Sequence, residues 1–130
     1  MHSNNDQDSI EEEFIASWNW IEVFFTKRIN NYRMEWLKPM LNLIAELRQH
    51  GHDKKLRAGQ SLEYLVLSRS REHGLRRGQS MLRFELIAEG GITVYYFEAP
   101  DVRIRIEVEH VALTPEIETL LTRLLSHPID

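Results

Sequence analysis

The chain contains no cysteine, which excludes disulfide staples, thiolate nucleophiles and cysteine-ligated zinc or iron–sulfur centres. It has only 6 Gly and 4 Pro in 130 residues, and no Pro-rich or Gly/Ser-rich linker divides it, so a single domain is expected. No apolar run approaches the roughly 18 residues that a membrane-spanning helix needs. The opening Met-His-Ser-Asn-Asn-Asp-Gln-Asp lacks the basic and apolar regions of a secretion signal. A cytoplasmic protein without a membrane partner is therefore the expectation. Three catalytic patterns are missing as well: the Gly-x-Ser-x-Gly elbow, the phosphate-binding Gly-x-x-x-x-Gly-Lys-Ser/Thr loop and the dinucleotide Gly-x-Gly-x-x-Gly turn. The reading leans away from an enzyme and implies no cofactor.

Charge is present in quantity but is unevenly placed. Residues 48–83 hold nine of the sixteen Lys and Arg against Asp53, Glu63 and Glu72, a net +6. Residues 1–47 carry −4 and residues 84–130 carry −6, so the overall −4 conceals a basic middle between acidic flanks. Such a field attracts anionic partners without naming them.

Periodicity predicts an α+β fold with N-terminal helices, an antiparallel three-stranded meander and a C-terminal helix. Residues 1–8 read as a disordered acidic tail, and residues 9–130 as one α+β domain. Ser9 and Glu12 have capping-box spacing, which places a helix start there. Phe14, Trp18, Ile21, Phe25, Ile29 and Tyr32 then recur every three or four residues as one apolar stripe, with Trp20 and Phe24 forming a second row. A second helix from about Lys38 places Pro39 in its first turn and stops at Gly51. Residues 52–60 read as a basic loop. A third helix is expected over 61–73, with Gly74-Leu75 as its cap, although its apolar run is also compatible with a strand. Strands are expected at 81–88, 92–98 and 102–110, the first two joined at Gly90-Gly91. Thr114 and Pro115 open the last helix, which buries Ile117, Leu120, Leu121, Leu124 and Leu125.

Four groups of residues are candidate sites. Trp18, Trp20 and Phe24 form an aromatic helix face wide enough to serve a partner as well as the core. Arg69, Arg71, Arg76 and Arg77 form an arginine-rich segment suited to phosphate or carboxylate; Tyr64 is the only aromatic near enough in sequence to stack a base. The alternative for these arginines is an internal ion network with the acidic flanks. His50, His52 and Asp53 have side chains of metal-ligand type, but a third well-placed ligand is needed for a zinc site. The simpler reading is that His50 and Gly51 close the second helix, and no metal is assigned. Ser70 and His73 are three apart at helical spacing, and His73 is the conceivable general base of an enzyme.

The leading expectation is a non-catalytic protein-binding or regulatory module, in the manner of an inhibitor or immunity protein, with a protein partner or a second copy of itself. A nucleic-acid-binding protein using segment 69–77 is the alternative. A small metal-dependent enzyme is a distant third.

Overall fold

The computed structural model describes residues 2–72 and 78–130, residues 2–5 by their backbone alone. Helix α1 (His2–Tyr32) is followed by a short 3-10 turn (Glu35–Leu37), helix α2 (Lys38–Gln49) and a second 3-10 turn (His52–Lys54). Five strands follow: β1 (Arg57–Ser61), β2 (Tyr64–Ser68), β3 (Met81–Leu86), β4 (Ile92–Glu98) and β5 (Val102–Val108). Helix α3 (Pro115–Leu125) closes the chain. The strands form one antiparallel sheet in the order β1-β2-β3-β4-β5, so every neighbour in the sheet is also a neighbour in sequence.

The α+β class and the last four elements match the sequence expectation, whereas the three-stranded meander is corrected to five strands. The two extra strands occupy the segment expected as a basic loop and a third helix. Leu62 and Glu63 connect β1 to β2, with Leu62 at φ 54°. A two-residue hairpin turn needs that left-handed conformation, and Gly or Asn usually supplies it. Leu there conceals the turn from a reading by residue type. Strand β2 is concealed for a second reason. Leu65 and Leu67 face the helices while Val66 and Ser68 are buried on the opposite side, so the strand shows no alternation of apolar and polar residues. The expected Gly74-Leu75 cap lies outside the described residues.

Helix α1 begins before the expected Ser9 cap, and residues 2–8, expected as a tail, are helical. No Gly or Pro interrupts residues 2–32, and extending an existing helix costs far less than nucleating one. Pro39 sits in the first turn of α2, and Gly51 takes the left-handed conformation (φ 81°) just beyond it. Thr114 caps α3 by accepting the Ile117 N–H at 3.3 Å.

One side of the sheet holds the core. Cross-strand sets Leu65–Phe84–Val94–Ile106 and Leu67–Leu82–Tyr96–Ile104 meet Trp18, Ile21 and Phe25 of α1, Leu43, Ile44 and Leu47 of α2, and Ile117, Leu121 and Leu124 of α3. The Gly90–Gly91 turn fits closely at one end. A Cβ on Gly91 would stand 2.4 Å from the Val108 carbonyl oxygen, and both glycines have positive φ. No described helix is long and apolar enough to cross a membrane.

Candidate functional site

Helix α1 lies along β1, and its residues divide between two sides. Phe14, Trp18, Ile21, Phe25 and Ile29 are buried. Trp18 is fully buried, and its Nε1 donates to the Leu56 carbonyl at 2.8 Å. Among the three aromatic residues expected to meet a partner, Trp18 is therefore corrected to a core residue, unavailable to any partner while the fold is intact. Trp20 points the other way, 55% exposed, with its ring stacked on Phe24 at 5.6 Å. The row continues along the helix, because the Arg28 guanidinium lies 4.9 Å from the Phe24 ring and 5.1 Å from the ring of Tyr32.

Trp20 also borders a groove of about 1130 Å³ between α1 and the hairpin β1–β2. Ala16, Ser17 and Trp20 form the helical wall, Gly59, Ser61, Val66 and Ser68 the floor, and Arg57, Arg71 and Glu72 one end. Ser17 ties wall to floor by accepting the Ala58 N–H at 2.9 Å. Gly59 is unusual among these residues. Its φ lies outside the left-handed range, and a Cβ built there would meet nothing within 4 Å. Neither the backbone nor internal packing calls for glycine at this position.

Within the arginine-rich segment, Arg69 is occupied with its own chain. Arg69 donates from Nε to the His127 carbonyl at 3.0 Å and from a terminal nitrogen to the Lys55 carbonyl at 2.6 Å. Backbone bonds from Asp130 N–H to Arg69 O (2.9 Å) and from Arg71 N–H to Asp130 O (3.3 Å) fasten the C-terminal residues alongside. Arg57 is held likewise by the carbonyls of Ser70 and Arg71. Burial lowers the pKa of both Arg57 and Arg69. Arg71 is exposed at the end of the groove, while Arg76, Arg77 and His73 lie outside the described residues. The structure thus separates Arg69 from Arg71 in role: the first is a staple, the second is open.

His50, His52 and Asp53 do not converge. Asp53 accepts from Arg48 Nε at 3.1 Å, and Arg48 also reaches Glu22 at 2.6 Å. His50 and His52 instead face Glu118 of α3, at 3.5 and 3.7 Å, with their rings nearly parallel. His52 is only 7% exposed, and that burial lowers its pKa despite the pull of Glu118. Among the described residues no group of three or more His, Asp or Glu side chains is placed to hold a metal ion.

Two further arrangements were not anticipated from the sequence. At the far end of the core, Glu98 receives Arg123 in a fork (3.0 and 2.7 Å), together with the Tyr96 hydroxyl and His127 Nε2 at 2.8 Å. Arg123 foremost, then the Tyr96 and His127 hydrogen bonds, hold the Glu98 pKa at about 2. Burial first and the hydrogen bond to Glu98 second push the Tyr96 hydroxyl above its usual range. This cluster fastens α3 and the C-terminal residues to β4. On the outer face of the sheet, Arg83 sits among Tyr64, Tyr95 and Phe97. Counting outward from the Ile87–Gly91 turn would have paired Arg83 with Tyr95, which is their observed register.

No protein-family model, curated protein or solved structure matches this chain.

Proposed function

We propose that the protein is a non-catalytic binding module that seats another protein in the groove between α1 and β1, with Trp20, stacked on Phe24, as its aromatic border. The observation that carries this reading is Gly59. Glycine inside a strand weakens it, and its usual justification is the close approach of another backbone or a ligand. Among the described residues nothing lies within 4 Å of where a Gly59 Cβ would stand, so the justification is sought in a partner. Trp20 supports the reading from the opposite wall, since a large, half-exposed ring with few rotatable bonds is typical of the anchors that dominate protein interfaces.

Gly59→Val tests the proposal directly, because the added side chain enters open space in the groove and leaves the core untouched. The tagged wild-type chain is expected to retain a stoichiometric protein from lysate of its source. Gly59→Val and Trp20→Ser are expected to lose that protein while remaining folded, with stability changed by no more than about 1 kcal/mol. Should the retained protein be a second copy of the chain, sedimentation will show a wild-type dimer and a monomeric Gly59→Val. Equal retention by wild type and both variants would overturn the assignment of the groove.

A further inference from the structure

The outer face of the sheet carries three cross-strand rows, whose β1 and β2 members line the groove and whose β3, β4 and β5 members lie beyond it. Gly59, Val66, Arg83, Tyr95 and Arg105 form the middle row, and Arg57, Ser68, Met81, Phe97 and Arg103 the row beside it. Glu85, Thr93 and Glu107 form the third. Positive charge is thus confined to two adjacent rows and negative charge to one.

Within the positive rows, guanidinium groups and aromatic rings are layered. The Arg83 guanidinium lies 4.7 Å from the Tyr95 ring and 5.2 Å from that of Phe97, Arg105 lies 5.9 Å from Tyr95, and Arg103 lies 6.0 Å from Phe97. The rings of Tyr95 and Phe97 are nearly parallel, 13° apart in plane and 6.1 Å between centroids. Glu85 pairs with Arg83 at 2.6 Å and Glu107 pairs with Arg105. Arg103 is exposed and, among the described residues, pairs with no carboxylate.

We propose that this outer face binds single-stranded nucleic acid, with bases laid against the Tyr95–Phe97–guanidinium layer and phosphates along Arg103 and Arg105. Flat π-surfaces beside arginines supply the two elements that such ligands use, stacking for the bases and charge for the backbone. Each element excludes a competitor. A duplex keeps its bases stacked within itself and would use only the charge, and a carboxylate-rich peptide would leave the ring layer unused. The site also differs from segment 69–77, where Arg69 is committed to carbonyl oxygens.

Fluorescence anisotropy with labelled eight-residue oligo(U) and oligo(dT), a matched duplex and a labelled poly-glutamate peptide tests the proposal on the full chain. Both single strands are expected to bind at low salt, and the duplex and the peptide at least tenfold more weakly. Neutralising two or three phosphates predicts an affinity loss of roughly 7- to 20-fold between 50 and 200 mM salt. Arg103→Glu is expected to weaken binding at least tenfold and flatten the salt dependence. Tyr95→Ser and Phe97→Ser should weaken it with the salt dependence unchanged, because stacking releases no counterions. Circular dichroism of each variant separates lost binding from lost folding, and Arg103, exposed and with no carboxylate partner among the described residues, provides the variant least tied to the fold. Trp20→Ser, which alters the helical wall of the groove and none of the three rows, should bind oligonucleotides as the wild type does, so failure of this proposal and failure of the groove proposal are read separately. Absence of single-strand binding at low salt, unchanged affinity in Arg103→Glu, or tighter binding of the duplex or the peptide would each overturn it.

Discussion

Trp18 and Trp20 stand two residues apart on α1, about 200° apart around its axis at 3.6 residues per turn. One is sealed in the core with its indole N–H on a backbone carbonyl, and the other is half in solvent on a groove wall. The same contrast runs along the helix, with Phe14, Ile21 and Phe25 on the Trp18 side and Phe24, Arg28 and Tyr32 on the Trp20 side. Aromatic content alone says little about what a helix face does. On one side aromatic area is fully used in holding the fold, and on the other it remains available.

Substitutions on the two sides should therefore separate stability from binding. The largest effect is expected from Trp18→Ala, which leaves a cavity and an unanswered Leu56 carbonyl and should cost about 3–5 kcal/mol in urea denaturation. Ser17→Ala, at the boundary between the sides, removes the acceptor of the Ala58 N–H and should cost about 1–2 kcal/mol by the same measurement.

Acid sharpens the contrast, because the titrating groups lie on the core side. Burial lowers the pKa of His52 below its ordinary 6.5, so the unfolded chain takes up that proton first. The contribution of neutral His52 is complete above about pH 6.5 and declines as pH falls below it. Glu98 acts lower, contributing fully above its ordinary 4.5 and losing that contribution as pH falls toward about 2. Urea midpoints should fall in two stages with decreasing pH, and Glu98→Gln should remove the second. Trp20→Ser should cost about 1 kcal/mol or less, chiefly the Phe24 stack. Gly59→Val should be neutral or stabilising by up to about 1 kcal/mol, since valine suits a strand and meets no neighbour. A stability loss in Gly59→Val as large as that in Trp18→Ala would erase the distinction between the sides.

The elements legible in the sequence are those whose pattern has one cause. The stripe of α1, the alternation Val102–Ile104–Ile106–Val108 and the Thr114-Pro115 start of α3 each follow from one buried face or one cap. Hairpin β1–β2 was hidden because Leu62 occupies a turn position where Gly would have announced it, and because β2 is buried on both sides. The groove was hidden with it, since Gly59 reads as loop until β1 is known. Trp18 belonged to the periodic stripe and Trp20 did not, and that spacing already carried the correct division between core and surface. The Arg83 layer depended on register across a turn, and the Glu98 cluster on where the C-terminal residues fold back.

Strand β1 is one of the two edges of the sheet, yet α1 lies against it and Ser17 occupies the Ala58 N–H. A bare edge is a template on which another chain can add a strand and begin a fibril. Helix α1 thus doubles as a guard against polymerisation. The opposite edge, β5, relies on a different deterrent, the charges of Arg103, Arg105 and Glu107 along its exposed side. Changes that loosen α1 are expected to cost solubility before they cost secondary structure, as the sheet acquires an end that other molecules can extend.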